Sequence, residues 1–389
     1  MLQWRPVSKI LPDAMTQYIW QTPEWPHLVW NPEPVIKALG LARLHQGKLL
    51  AKSTLLSDQG RQHVWTESLE EEIVRSSAIE GELLDRQSVR SSLFRALGIP
   101  MQDKMLSSHH TDGVVEVLLD AVQNYDRQLS AELLFSWHRA LFPSGQSGLS
   151  TIRTGSFRNS PMEVVSGPYG KRTVHFEAPP AELVQPMMTQ FLDWFNASRG
   201  RIDGLLRAAI AHLTFVTIHP FDDGNGRLAR TITELALSQD EHCAIRLYSL
   251  SSQILSDRKT YYECLEQTQK GIGDITSWLV WFLSTYRDAL ADSEVRFDRI
   301  VAKTRFWNAH RDASVSPAQQ KVLNRLLDGF EGNLTTRKYV GISGVSRATA
   351  WREIHDLVTK GLLEALPGSG KRTAYRIPPA GSEPSAEQK

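Results

Sequence analysis

The segment His219-Pro220-Phe221-Asp222-Asp223-Gly224-Asn225-Gly226-Arg227-Leu228-Ala229-Arg230 gathers a base, carboxylates, a flexible turn and two guanidinium groups within a dozen residues. Those are the parts needed to hold a nucleoside triphosphate and move part of it onto a hydroxyl group. His219 titrates near neutral pH and can take the proton of an attacking hydroxyl. Asp223 offers hard oxygens suited to Mg²⁺ bridging phosphate oxygens. Gly224 and Gly226 permit positive φ and let backbone amides approach a phosphate. Arg227 and Arg230 are permanent cations able to clamp phosphate oxygens in fork geometry. A wet Gly-rich turn between two core helices is the plain alternative, but few such turns fix so many positions at once.

The elements that must hold this loop are legible on either side. Leu205, Ala208, Ala209, Leu213, Phe215 and Val216 form an apolar-rich run that reads as a buried helix. Leu228, Ile232, Leu235 and Ala236 recur at helical spacing, so a second helix is expected to begin near Gly226. The loop then lies at a helix N-terminus, where unpaired N–H groups and the helix dipole favour an anion.

The pattern His-Pro-Phe-x-x-Gly-Asn-Gly-Arg-x-x-Arg resembles the active-site signature of the Fic family of protein adenylyltransferases, and this chain fits it at every specified position. The resemblance implies a mainly α-helical Fic (Fido) core that transfers AMP from ATP to Ser, Thr or Tyr hydroxyls of proteins and releases pyrophosphate. It implies His219 as general base and Asp223 as the Mg²⁺ ligand. Gly224, Asn225, Gly226 and Arg227 would cradle the α- and β-phosphates, with Leu228 and Ala229 bordering the nucleotide and Arg230 reaching the γ-phosphate. The related death-on-curing kinases lack this Gly-Asn-Gly turn, which weighs against phosphotransfer.

Flanking features extend the resemblance. Val164-Val165 and Thr173-Val174-His175-Phe176 are β-prone runs around Gly167-Pro168-Tyr169-Gly170, a hairpin signal. In the family a hairpin flap there pairs with target peptide, so Val174, His175, Phe176 and Glu177 are expected to border the nucleotide. Tyr261-Tyr262-Glu263-Cys264-Leu265 opens a helix where the family packs a ring near adenine, which implicates Tyr261 and Gln269. A tyrosine pair on a helix is otherwise ordinary core.

Upstream, Ser76-Ser77-Ala78-Ile79-Glu80-Gly81 fits the family's inhibitory pattern: Ser or Thr, three residues, then Glu and Gly. Leu69, Glu70, Glu71, Glu72, Ile73 and Val74 favour helix, so Ser76 and Glu80 share a face. The resemblance implies that Glu80 pairs with Arg230 and takes the place and charge of the γ-phosphate, with Ser76 and Gly81 completing the motif.

Composition fits a cytoplasmic enzyme. The 389 residues carry a net charge of +1, which gives no global pull toward nucleic acid or membrane. Cys243 and Cys264 are too few for a disulfide framework and have no metal-ligand spacing. The first residues show no basic-then-apolar pattern, so no leader is expected, and the apolar stretch 275–283 is too short to span a bilayer. His109-His110 reads as exposed surface, since adjacent helical residues point apart.

Residues 1–60 form a Trp- and Pro-rich extension (Trp4, Trp20, Trp25, Trp30; Pro23, Pro26, Pro32, Pro34) expected to serve packing. Residues 61–100 hold the inhibitory segment, 101–310 the catalytic core, with Gly155, Phe157 and Arg158 just before the flap, and 379–389 a polar, disordered tail. Residues 316–378 carry ten Lys and Arg against five Asp and Glu, about +5, unlike the rest of the chain. A helix from Gln319, a short one over Thr335-Thr336-Arg337-Lys338-Tyr339-Val340, and a capped one from Ser346 are expected, followed by strands at Gly361-Leu362-Leu363-Glu364 and Thr373-Ala374-Tyr375-Arg376-Ile377 around Pro367-Gly368-Ser369-Gly370. That order resembles a winged helix-turn-helix, with Arg347, Arg352, Lys371 and Arg372 placed to touch DNA; protein contact or dimer assembly is the competing use.

The expected whole is a self-inhibited AMP transferase using ATP and Mg²⁺, acting on target proteins and on itself, with a homodimer as a compatible assembly and no membrane contact. A DNA-binding regulator with a nucleotide-sensing core, and altered chemistry such as AMP removal or use of another nucleotide, stand as alternatives.

Overall fold

A computed structural model describes residues 18–100, 107–166, 173–366 and 373–379. Trp4, the turn Gly167-Pro168-Tyr169-Gly170, the segment Pro367-Gly368-Ser369-Gly370 with Lys371 and Arg372, and the tail from residue 380 fall outside them. The chain divides into two compact units, Met1–Ala51 with Ser57–Ser293, and Lys52–Leu56 with Glu294–Lys389. The division falls within a long helix, earlier than the composition shift near residue 310.

The first unit is mainly helical: α1 (Pro32–Ser53), α2 (Asp58–Ile79), α3 (Arg86–Ala96), α4 (His109–Gln123) and α5 (Ala131–Leu141) lead to two short antiparallel pairs. These are β1 (Gln146–Ser147) with β2 (Ser150–Thr151), and β3 (Glu163–Ser166) with β4 (Thr173–Glu177). There follow α6 (Ala181–Ala197), α7 (Gly204–Ile218), α8 (Asn225–Glu241), α9 (Leu250–Ser256), α10 (Arg258–Gln269) and the start of α11 (Thr276–Ala309). Among the described residues no helix is long and apolar enough to cross a membrane.

Helices α7 and α8 are the centre of this unit. Every residue of α7 from Arg207 to Ile218 is buried, so a helix apolar on all sides is surrounded on all sides. Asp203 caps it, its carboxylate accepting from the Leu205 amide at 2.9 Å. Within the described part of the Trp-rich extension, Tyr18, Ile19 and Trp20 are buried, and the Trp20 indole donates to the Glu177 carbonyl at 2.8 Å.

Helix α2 is fixed by buried charge. The Glu72 carboxylate accepts from Ser249 Oγ at 2.7 Å and the Ser251 amide at 3.0 Å, at the N-terminus of α9. Glu70 takes Arg86 at 3.1 Å and Arg90 at 2.8 Å from α3. Glu70 and Glu72, which read as helix-favouring residues, are therefore also anchors of the helix that leads to Glu80.

The second unit contains the end of α11, then α12 (Pro317–Leu327), α13 (Thr336–Ser343), α14 (Arg347–Thr359) and the pair β5 (Glu364–Ala365) with β6 (Tyr375–Arg376). Its strands are shorter than the sequence suggests. Val322, Leu323, Leu334, Tyr339, Ala350, Ile354 and Leu357 form its buried core.

Candidate active site

The loop between α7 and α8 is bent by two left-handed residues. His219 closes α7 at φ 52°, and Gly224 opens α8 at φ 79°. Glycine is needed at 224, where the φ is positive and an added Cβ would lie 2.8 Å from the Phe142 ring. A non-glycine left-handed residue at a loop of reactive groups is a strained position held by its surroundings. Arg158 does much of the holding: its side chain donates to the carbonyls of His219 at 2.7 Å, Ser160 at 2.8 Å and Pro179 at 2.6 Å.

Histidine 219 is oriented for one role. Its Nδ1 lies 3.1 Å from the Val216 carbonyl, an acceptor, so Nδ1 carries the proton and Nε2 keeps its lone pair. Burial pushes the imidazole pKa down, against the Val216 hydrogen bond that favours the cation. A neutral ring with a free Nε2 is a competent base.

A candidate anion site forms where α8 begins. Its first turn leaves the N–H groups of Asn225, Gly226 and Arg227 without intrahelical acceptors. Against them sits the Glu80 carboxylate: a Cβ on Gly226 would lie 2.1 Å from Glu80 Oε1. Arg230 pairs with Glu80 at 2.9 Å and donates to Ser76 Oγ at 2.8 Å and to the Ser76 carbonyl at 2.9 Å. Burial disfavours the Arg230 charge, but Glu80 and the two tyrosine hydroxyls outweigh it and raise its pKa. Arg230 Nη1 and Arg227 Nε are buried without hydrogen-bond partners, so the two guanidinium groups retain donors for another acceptor.

Gly81 serves the backbone. At φ 85° it ends α2, with its amide bonded to the Ala78 carbonyl at 3.0 Å and the Glu82 amide to Ser77 at 3.0 Å. That turn delivers a second carboxylate, which sequence reasoning missed. Glu82 pairs with Arg227 at 2.9 Å and also meets His110 Nε2. Burial pushes the Glu82 carboxyl up, but the His110 hydrogen bond and the Arg227 charge outweigh it and hold it below its usual value. His110 is thus half-buried in this network, its Nδ1 3.1 Å from the Leu141 carbonyl, and not the exposed surface residue expected.

Asp223 lies beside this site, taking the Gly224 amide at 2.6 Å and the Ser147 hydroxyl. Among the described residues no group of three or more metal-ligating side chains exists. One carboxylate fits Mg²⁺ of the kind held chiefly by substrate phosphates and water. Behind the loop, buried His138 accepts the Gly155 amide at 3.1 Å, meets the Asp223 carbonyl at 3.1 Å and stacks on Phe221 with centroids 4.3 Å apart. Its role was also unseen in the sequence, where a lone histidine on an apolar helix carries no signal.

The side chains of several residues expected to border the nucleotide make contacts within the protein. The Asn225 amide is spent on the loop itself, donating to the Phe221 carbonyl at 2.8 Å and accepting its N–H at 3.0 Å. Leu228 and Ala229 are fully buried, and the Leu228 amide already bonds to the Gly224 carbonyl at 2.9 Å. Tyr261 is 2 % exposed, with its hydroxyl 3.0 Å from His212 Nε2, whereas its neighbour Tyr262 keeps an open face and reaches the Ile79 carbonyl at 3.3 Å. Gln269 is buried and donates to Thr217 at 3.2 Å. In β4 a bulge at His175 separates the pairs Val165–Val174 and Val164–Phe176. Val174 therefore faces out, Phe176 turns into the core against Tyr18 (5.1 Å), and His175 meets Glu266 at 2.8 Å. Glu177 is exposed at the strand end.

Residues 18–99 match a domain of unknown function, DUF4172. The protein adenylyltransferase fic-1 of Caenorhabditis briggsae is 28 % identical over 171 residues, 42 % of this chain and 31 % of that protein. The protein adenylyltransferase Fic of Culex quinquefasciatus is 24 % identical over 234 residues, 59 % of this chain and 43 % of that protein. The chain thus spans less than half the length of these relatives. In fold it is similar to a Fic family protein from Desulfovibrio desulfuricans G20, with a TM-score of 0.52 at 21 % identity, over 91 % of this chain and 99 % of that one. Residues 128–237, which contain the whole loop from His219 to Arg230, match the Fic/DOC family.

Proposed function

We propose that this chain is a protein adenylyltransferase that moves AMP from ATP to Ser, Thr or Tyr hydroxyls of proteins, itself included, and is held off by Glu80. The observation that carries this reading is the Glu80 carboxylate on Arg230, seated over Gly226 at the start of α8. An anion already occupies the place built for one.

In the reaction, His219 Nε2 takes the hydroxyl proton as the oxygen attacks the α-phosphorus. The bond from that phosphorus to the bridging oxygen breaks, and pyrophosphate leaves. The free amides of Asn225, Gly226 and Arg227, with the Arg227 guanidinium, bind and orient the phosphates, and Arg230 holds the terminal one. Asp223 would hold Mg²⁺, which when bound neutralises phosphate charge. The β3–β4 pair, with Val174 exposed on it, serves as the edge that aligns a target segment. Leaving the Arg230 pair intact denies the terminal phosphate its cation.

The test uses the Glu80→Gly chain with Mg²⁺ and ATP labelled either at the α- or at the γ-phosphate, the products being resolved by gel. Protein labelling from the α position alone is expected. Labelling from the γ position would make this a phosphotransferase and overturn the reading.

A further inference from the structure

We propose that the second unit binds duplex DNA through the exposed face of α14. This goes beyond the transferase reading and stands on separate residues.

The turn between α13 and α14 is short and tightly specified. Gly344 ends α13 at φ 77°, and Ser346 caps α14 by accepting from the Thr349 amide at 3.2 Å. Both helices pack on α12 around the shared core, so α14 is held rigidly with one side outward. That side carries Arg347, Trp351, Arg352 and His355, all exposed and spaced to lie on one helical face. Thirteen residues give about 20 Å of helix, enough to lie in a major groove about 12 Å wide.

Charge decides the kind of partner. Residues 316–378 carry about +5; four of their five acids have side-chain partners, and the fifth, Glu331, is exposed. Glu353 takes the Tyr339 hydroxyl at 2.8 Å and Ser316 at 2.9 Å. Asp356 takes Gln319 at 2.7 Å and Lys360 at 2.6 Å, Asp328 takes Lys303 at 2.8 Å, and Glu364 pairs with Arg376. Among the described residues no carboxylate lies within ion-pair distance of Arg347 or Arg352. A helix face with two guanidinium groups that lack ion-pair partners, its neighbouring Asp356 held by Lys360 and Gln319, matches a phosphate-lined groove. Between them Trp351, 60 % exposed, lies parallel to the His355 ring with centroids 5.7 Å apart. The stack is a stiff apolar ridge suited to a thymine methyl or a sugar face.

The test titrates the full chain onto a fluorescein-labelled mixed-sequence duplex and follows anisotropy from about 50 to 200 mM salt. Log Kd should rise linearly with log salt. Arg347→Ala and Arg352→Ala should each flatten that slope by about 1, Arg347→Lys should restore it, and Trp351→Ala should weaken binding at every salt with the slope kept. Arg311→Ala, an exposed arginine paired with Asp312, serves as the charge control and should leave the slope unchanged. No salt-dependent binding by the parent chain, or parental slopes in both arginine variants, would overturn the proposal. So would a Trp351→Ala chain that binds DNA as the parent does but changes mass in light scattering, since the face would then be a protein interface.

Discussion

Glu80 Oε1 lies so near the α8 backbone that a Cβ on Gly226 would come within 2.1 Å of it. The two residues explain each other: Gly226 leaves room for an anion at the helix N-terminus, and Glu80 fills that room with one. A phosphate and this carboxylate would compete for the same amides and the same arginine.

Glu82 extends that competition to the other arginine. Its pair with Arg227 at 2.9 Å holds a cation that the phosphates need. Glu82→Gln should tighten ATP binding, and more so when Glu80 is already glycine, because both clamps are then free. A hydrogen bond between charged groups is worth about 1.5–3 kcal/mol, so the gain should reach roughly tenfold or more in Kd. Calorimetric titration with ATP reads it; an unchanged Kd in the double variant would show that Glu82 only stabilises the turn.

The pH profile reports on His219. Burial lowers its pKa, so the ring stays neutral, and able to accept a proton, below the usual imidazole value of about 6.5. The acid limb of kcat/KM for the Glu80→Gly chain should fall with a midpoint below that value. A midpoint above it would place another group in control. His219→Ala should cost about 10²–10⁴-fold in rate with ATP affinity kept.

Stability should follow pH through the same physics. A ring whose folded pKa lies below its unfolded value binds fewer protons when folded, so its contribution is complete above about pH 6.5 and is lost as pH falls. His212, buried between Thr233 and Tyr261, is pushed down to about 3. It alone should remove roughly 2 kcal/mol of unfolding free energy between about pH 6.5 and pH 5, before most carboxylates titrate. Urea unfolding at the two pH values measures this, and equal stabilities would show that His212 is protonated without penalty.

Asn225 should behave as a structural clamp. Asn225→Ala would leave the Phe221 N–H and C=O buried without partners, at about 1–3 kcal/mol for each group. A shift of the urea midpoint equivalent to less than 0.5 kcal/mol, roughly the size of a neutral surface change, would contradict the clamp.

The loop and its two helices were legible because short-range signals carry them: an unbroken apolar run, a glycine turn, a second periodic run. That Ser76 and Glu80 lie one helical turn apart was legible for the same reason, while their meeting with Arg230 was an expectation of the family resemblance. What no local signal carries is a partner set by packing. The sequence alone does not show that both ends of the Asn225 side-chain amide bond to Phe221. Tyr261 and Tyr262 are adjacent, and only the packing of α10 on α7 decides which ring is buried. A one-residue bulge at His175 reverses the outlook of Phe176, and no composition signal marks it. Glu82 and His110 come together across 28 residues of chain, through a turn whose direction Gly81 sets.

The Glu80–Arg230 pair is probed by automodification with α-labelled ATP in four chains: the parent, Glu80→Gly, Arg230→Ala and the double variant. The parent should be slow, Glu80→Gly should be faster by roughly 10- to 150-fold, matching about 1.5–3 kcal/mol for the freed charged contact, and neither chain lacking Arg230 should be active. Equal rates for the parent and Glu80→Gly, or a double variant as active as Glu80→Gly, would contradict the inhibitory role of the pair, since the carboxylate would then block nothing and the arginine would hold nothing.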